Sequence, residues 1–237
     1  MNVAVSTKPK PGRNADRAYR TRLAITDAFV NLIVEGDLSP SMPAVARRAG
    51  VSLRSLYNHF GDAKSLYESA IQRQEPQISR VLVSLDQTSM LRDRVRNLVA
   101  QRCEVYRQIA PLRRAVQSNA MARNSSTIRA ARRKLEYVLA RHANETFAAE
   151  LRETADRFGA SERIAAVTSF EMWDYMSRVR QFSASRVERH MVAAVVHELD
   201  AQLVERRETS VHHRPGVARS RRVTGEAISV GAAGARL

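Results

Sequence analysis

Ser41 to Phe60 reads SMPAVARRAGVSLRSLYNHF, and its punctuation predicts two short helices joined by a sharp turn. Ser41 is placed to cap the first helix, its hydroxyl accepting from the free backbone N–H groups of the opening turn. Pro43 falls early enough in that helix to lose no intrahelical bond. Val45, Ala46 and Ala49 share one face, with Arg47 and Arg48 on the other. Gly50 supplies the left-handed conformation that ends a helix at low cost, and Val51 fills the angle behind it. Ser52 caps the second helix, which turns Leu56 and Phe60 inward at i and i+4. Leu53, Arg54, Ser55, Tyr57, Asn58 and His59 stay outward or at the edges. That face is rich in donors and free of acid, which suits a helix lying in a DNA major groove.

The segment Gly50 to Phe60, GVSLRSLYNHF, resembles the helix-turn-helix of the TetR family of transcriptional regulators. The family pattern is Gly-Val-Ser, two variable residues, Ser or Thr, Leu-Tyr, a variable residue and His-Phe. Arg22, Ile25, Ala28, Phe29, Leu32, Glu35 and Gly36 match its first helix in spacing, so the specific resemblance spans about Arg22 to Leu66. It implies that Tyr57 and His59 hold phosphates, joined by Ser41 and Ser52 through hydroxyl or backbone groups. From the residue chemistry, Arg54 is the expected base reader, with guanine its partner; Asn58 and Ser55 contribute, and Leu53 meets a thymine methyl. The chain departs from the pattern after Phe60. The family places a phosphate-contacting lysine three residues on, where this chain has Ala63; Lys64 is its neighbour, rotated by about 100° around the helix. Backbone N–H groups at that helix start still offer an anion site.

Composition bounds the rest. A chain of 237 residues with 44% hydrophobic content can bury one large core or two modest ones. No apolar run reaches the roughly 18 residues of a membrane span, and no apolar stretch follows the basic N-terminus as in a secretory signal. Cys103 is the only cysteine, which excludes an internal disulfide and fits a reducing, cytoplasmic location. The net charge of +15 divides into +4 over residues 1–75, +8 over 76–207 and +3 over 208–237. Charge therefore favours a polyanionic partner without locating the site.

Residues 1–15 read as a flexible basic arm and 208–237 as a disordered tail. Between them the periodicity predicts an all-α chain, with no strand pattern. An N-terminal domain, 16–75, holds three helices including the helix-turn-helix, and a larger helical bundle follows over 76–207, to which the resemblance gives effector-binding and dimerisation roles. The first helix is expected over about 16–35. Asp62 caps a fourth, from Ala63, that Pro76 should bend or break near Glu75. Later helices are expected near 90–109, 111–123, 125–154, 161–182 and 185–207, with Pro111 in a first turn and Ser125, Ser161 and Ser185 as caps.

No catalytic constellation emerges, so an enzyme is not expected, and neither is a cofactor or metal. His190 and His197 lie about 10 Å apart along a helix, too far to share an ion. His212 and His213 sit in an arginine-rich tail, and GAAGAR near the C-terminus follows no strand. The stretch Thr168 to Tyr175, TSFEMWDY, carries the only tryptophan. It reads as hydrophobic core or, with Tyr106, Met121, Tyr137, Phe147, Phe158, Phe170 and Trp173, as the lining of a ligand cavity. The stripe Val187, Met191, Ala194, Val195, Glu198, Leu199, Gln202 and Leu203 is either buried internally or paired with its copy across a two-fold axis.

The resemblance implies a homodimeric regulator, a repressor, that binds a near-palindromic double-stranded DNA operator and leaves it when a small-molecule effector of unknown identity binds. Two alternatives remain open on residues alone. One is a helical protein that binds nucleic acid without sequence preference. The other is a helical ligand- or protein-binding module without operator recognition.

Overall fold

The computed structural model describes residues 13–154 and 156–212, and all regular structure among them is helical. Four helices form the N-terminal head: α1 (Arg13–Val34), α2 (Met42–Ala49), α3 (Leu53–His59) and α4 (Ala63–Val81). There follow α5 (Leu91–Ser118), α6 (Ala120–Arg123), α7 (Ser126–Thr146), α8 (Ala148–Glu153) and α9 (Arg157–Val167). Then come α10 (Phe170–Asp174), which runs on as a π-helical turn (Tyr175–Val179), and α11 (Ala184–His212). The all-α class expected from periodicity is the class observed.

Local capping explains most of the boundaries. Side-chain oxygens of Ser41, Ser52, Asp62 and Ser125 accept from the backbone N–H groups of Ala44, Ser55, Ser65 and Ile128. Each relieves one of the orphan donors at a helix start. Gly50, at φ 67°, ends α2 in the left-handed region where a Cβ would be strained. Two predicted caps fall elsewhere. Ser161 lies inside α9, which Asp156 caps instead through the Gly159 N–H. Ser185 lies inside α11, where the Arg186 and Val187 N–H groups turn back to Ser183.

Several predicted breaks are not breaks. Pro76 sits within α4 and Pro111 within α5, both helices running through. An interior proline forfeits one hydrogen bond and costs about 3 kcal/mol. Around Pro111 the burial of Ile109, Ala110, Leu112 and Ala115 outweighs that cost. Near Pro76 the Gln74 amide donates to the Gln108 carbonyl at 3.1 Å, pinning α4 to α5. Conversely, the long helix expected over 125–154 divides at Phe147, and the one over 161–182 divides at Thr168. α1 begins at Arg13, inside the span expected as an arm, and residues 208–212, assigned to the tail, belong to α11. The remaining arm and tail, with His213 and GAAGAR, lie outside the described residues.

Two apolar clusters hold the chain. One gathers Ile25, Phe29, Val45, Leu56, Phe60, Leu66 and Tyr67 from the head, and is completed by Leu112, Val116, Ala122 and Ile128 from α5, α6 and α7. The other packs α5, α7, α8 and α9 against α10 and α11, with Val187, Met191, Val195 and Leu199 of the C-terminal helix inside it. Burial pushes the Cys103 thiol up to about 12, so the lone cysteine is an inert core residue beside Met191.

Arg94 and His142 are among the polar groups buried in this second region. Arg94 reaches both Glu150 oxygens and the Thr146 carbonyl. His142 Nε2 lies 3.0 Å from the Val83 carbonyl, while its Nδ1 is buried without a partner. Burial, reinforced by the nearby Arg102 charge, holds this imidazole below its ordinary pKa. The unfolded chain therefore protonates His142 more readily than the folded one. Stability is full above about pH 6.5 and declines as pH falls below it. His142→Gln should flatten this slope: between about pH 7.5 and about pH 5.5 the unmodified protein should lose more melting temperature than the variant. Parallel melting curves would remove His142 as the titrating group.

Candidate nucleic-acid interface

The helix-turn-helix is built by burying one face of α3 and leaving the other bare. Leu56 and Phe60 are buried with Val45 and Ala46 of α2 and Ile25 and Phe29 of α1. Leu53, Arg54, Tyr57 and Asn58 are exposed, with Leu53 at 41% and Tyr57 at 48% despite their apolar bulk. Leu53 and Tyr57 beside Arg54 leave apolar surface on this short helix open to a partner. Ser55 and His59 are half-buried and face a cleft between α1 and α3 that Asn14, Arg17 and Thr21 also line. Ser41 and Ser52 are exposed; each hydroxyl accepts a capping bond and keeps its own proton to donate.

Arg22 is the residue whose role sequence reasoning missed. Its Nη1 donates to the His59 carbonyl at 2.7 Å, and its guanidinium lies 4.1 Å from the centre of the Phe60 ring. The C-terminal end of α3 is thereby fastened to α1 by a charged donor on an orphan carbonyl and a cation–π contact. The partners are 37 residues apart, so no local pattern announces them. Asn14, Arg17 and Thr21 are likewise brought to the cleft only by the packing of α1 beside α3. At the start of α4, Ala63 and Lys64 are half-buried, and Lys64 Nζ lies 3.7 Å from Glu68 one turn along. Arg48 pairs with Glu35, whereas Arg47 is exposed.

A cavity of about 490 Å³ lies behind the head, walled by α4, α5 and α7, with a floor that includes Ile78, Leu82, Ile109, Leu112 and Leu135. It is not the cavity the aromatic residues predicted. Tyr106, Phe147, Phe170 and Trp173 are buried in the second core. There Tyr106 meets Phe170 edge-on at 5.7 Å and donates its hydroxyl proton to the Thr168 carbonyl. Met121 and Tyr137 are 58% and 67% exposed, and Phe158 is exposed as well. None of these residues lines the cavity. Aromatic rings satisfied by one another fill space instead of enclosing it. The stripe Val187, Met191, Val195 and Leu199 faces inward, while Met172, Tyr175 and Val179 form an exposed apolar face beside the start of α11.

Residues 25–70 match the bacterial regulatory proteins, tetR family. The fold is similar to a transcriptional regulator from Rhodococcus sp. Rha1, with TM-score 0.59 and 16% identity over 78% of this chain and 97% of that one. It is also similar to the flavonoid-responsive regulator FrrA, with TM-score 0.54 and 22% identity over 77% of this chain and 97% of that one. A protein of Mesorhizobium loti MAFF303099 assigned to the TetR family gives TM-score 0.51 and 22% identity over 81% of this chain and 98% of that one. No match is found among curated protein sequences. Residues 25–70 therefore form a TetR-family helix-turn-helix domain.

The head therefore carries a DNA-binding helix-turn-helix of the TetR type, as the resemblance of Gly50–Phe60 implied. No described helix is long and apolar enough to cross a membrane. In this TetR-family head, Arg22 positions α3 without occupying its exposed face. Arg22→Ala should lower stability by roughly 2 kcal/mol, the combined scale of a charged hydrogen bond and an exposed cation–π contact. It should also weaken binding to DNA although Arg54 is intact. Unchanged melting temperature would show that the His59 carbonyl finds another donor at no loss.

Proposed function

We propose that the protein represses transcription as a homodimer on a near-palindromic operator and is released when a small molecule fills the cavity walled by α4, α5 and α7. The observation that carries this reading is the placement of α4. One end starts directly after the exposed α3, and the other end is a wall of the cavity. A ligand that moves that wall moves the base of the recognition helix.

In this reading residues 16–75 recognise DNA and residues 76–207 bind effector and partner. Arg54 pairs with guanine, Asn58 and Ser55 add hydrogen bonds, and Leu53 packs on a thymine methyl. Tyr57, His59, Ser41 and Ser52 hold phosphates, and Lys64 supplies the charge that Ala63 lacks. The exposure of Leu53, Arg54, Tyr57 and Asn58 supports these roles. The two α3 helices face half-sites about 34–36 Å apart. The apolar face of Met172, Tyr175 and Val179 supports a dimer interface at the C-terminal helices.

Selection of duplexes from a random pool should return a near-palindrome; salt-sensitive binding without sequence preference would overturn operator recognition. On the selected site, Arg54→Ala should cost about 1–3 kcal/mol and relax preference at one position per half-site. An equal loss on every sequence would make Arg54 a phosphate contact. Val179→Arg should give a monomer at micromolar concentration by sedimentation; a dimer that survives it would place the interface elsewhere.

A further inference from the structure

The cavity's wall is strongly biased in charge. Arg113, Arg123, Arg129, Arg132, Lys134 and Arg141 line it with a single acid, Glu75. The whole chain has 39 basic to 24 acidic residues, so a six-to-one lining is more than the general excess of arginine. Some of that charge is answered by carboxylates in or around the cavity. Arg113 and Arg132 share Glu171, Lys134 pairs with Glu75, and Arg141 with Glu145.

Arg123 and Arg129 are not answered. Arg123 donates to the Gln117 carbonyl and Arg129 to the Asn124 carbonyl, and among the described residues neither has an ion-pair partner. They flank the turn at Asn124 and Ser125 that begins α7. Two further cations add to the same field. Arg113, its guanidinium stacked 4.1 Å from the Phe170 ring centre, has a buried Nε without a hydrogen-bond partner. Arg102, buried behind α7, donates to the Leu139 carbonyl and has no ion-pair partner among the described residues.

From this we infer that the cavity takes an amphipathic carboxylate: an apolar body on the floor of Ile78, Leu82, Ile109 and Leu135, and one anionic head held by Arg123 and Arg129. The inference rests on the reading of this cavity as the effector site. Charge selects the ligand class, because a neutral ligand leaves both guanidinium groups uncompensated and a cationic one adds repulsion. The head also sits where it acts on α4. From the turn between the two arginines, the Ser125 hydroxyl donates to Glu68 of α4 at 2.6 Å, and Glu68 is the partner of Lys64.

The test uses the full chain and matched probes: dodecanoate, dodecanol and dodecyltrimethylammonium below micelle-forming concentrations, and 4-biphenylacetate against 4-biphenylethanol. Calorimetry reads affinity, and an operator-retention assay reads release. The carboxylates should bind about tenfold to a hundredfold more tightly than the alcohols, the scale of a charge-assisted bond. The ammonium probe should not bind. Arg123→Gln combined with Arg129→Gln changes only exposed side chains and should erase the preference while leaving the melting temperature near its original value. The inference is overturned if the alcohols match the carboxylates, if the cation binds best, if no carboxylate binds, or if the double variant keeps the preference. Carboxylate binding that depends on both arginines but leaves the operator bound would sink effector release and leave this inference standing. Release by the alcohols alone would do the reverse.

Discussion

Leu66, Tyr67 and Ala70 bury one half of α4 in the core of the head, while Ile71, Ile78 and Leu82 give the other half to the cavity wall. A single rigid helix therefore belongs to both parts of the molecule, and each part fixes where it lies. On the head side, the Tyr67 ring packs edge-on against Phe29 at 4.8 Å and its hydroxyl donates to the Leu38 carbonyl. Ser69 and Thr26 hydrogen-bond at 3.0 Å, and Arg73 pairs with Asp27. Together these hold α4 to α1, the same helix that grips α3 through Arg22. Among the described residues the recognition helix packs on α2 and α1.

The head does not close on its own four helices. Leu112, Ala115 and Val116 at the end of α5, with Ala122 and Ile128 beyond it, complete its core at less than a tenth of their surface exposed. Removing such residues from a small domain leaves apolar surface it cannot re-bury. This is also why Pro111 is tolerated inside α5. A helix that serves two cores at its two ends gains more from continuity than one lost hydrogen bond costs. Its C-terminal half would lose its place if it broke at the proline.

The parts of the fold that were legible in sequence are those written within one helical turn. Ser41, Ser52, Asp62 and Ser125 cap residues three positions on, and Gly50 needs only its own left-handed φ. The inward pair Leu56 and Phe60, and the bare face between them, follow from the same short spacing. Features that depend on long-range packing were not legible. Periodicity marks Tyr106, Phe170 and Trp173 as apolar, but only the fold decides whether they meet one another or enclose space. It marks the stripe of α11 as buried without saying against what, and Val187, Met191, Val195 and Leu199 turn toward α5 and α9. The true wall of the cavity was hidden in α4 and α7, where arginine and glutamine among aliphatic residues read as ordinary amphipathic surface.

Release of a repressor requires two positions of the head that differ in affinity for DNA, and an effector that prefers one of them. In the proposed function the preference must reach α4. Three contacts offer that route: Glu75 with Lys134, Gln74 with the Gln108 carbonyl, and Glu68 with Ser125. The first joins α4 to α7 through two long, exposed side chains that can follow a shift, and the second ties α4 to the backbone of α5. The third is part-buried and ends on the short Ser125 side chain that caps α7, so it is tied to the position of that turn. A coupling of 1–3 kcal/mol, the usual range, is within what one charge-assisted bond made in one state and lost in the other supplies. Glu68 also pairs with Lys64, so in the proposed function a change at Ser125 bears on the charge that Lys64 offers a phosphate. The family's lysine position is Ala63 in this chain, and in the proposed function the Lys64–Glu68–Ser125 series connects the cavity's arginine-rich end to the start of α4 that faces DNA.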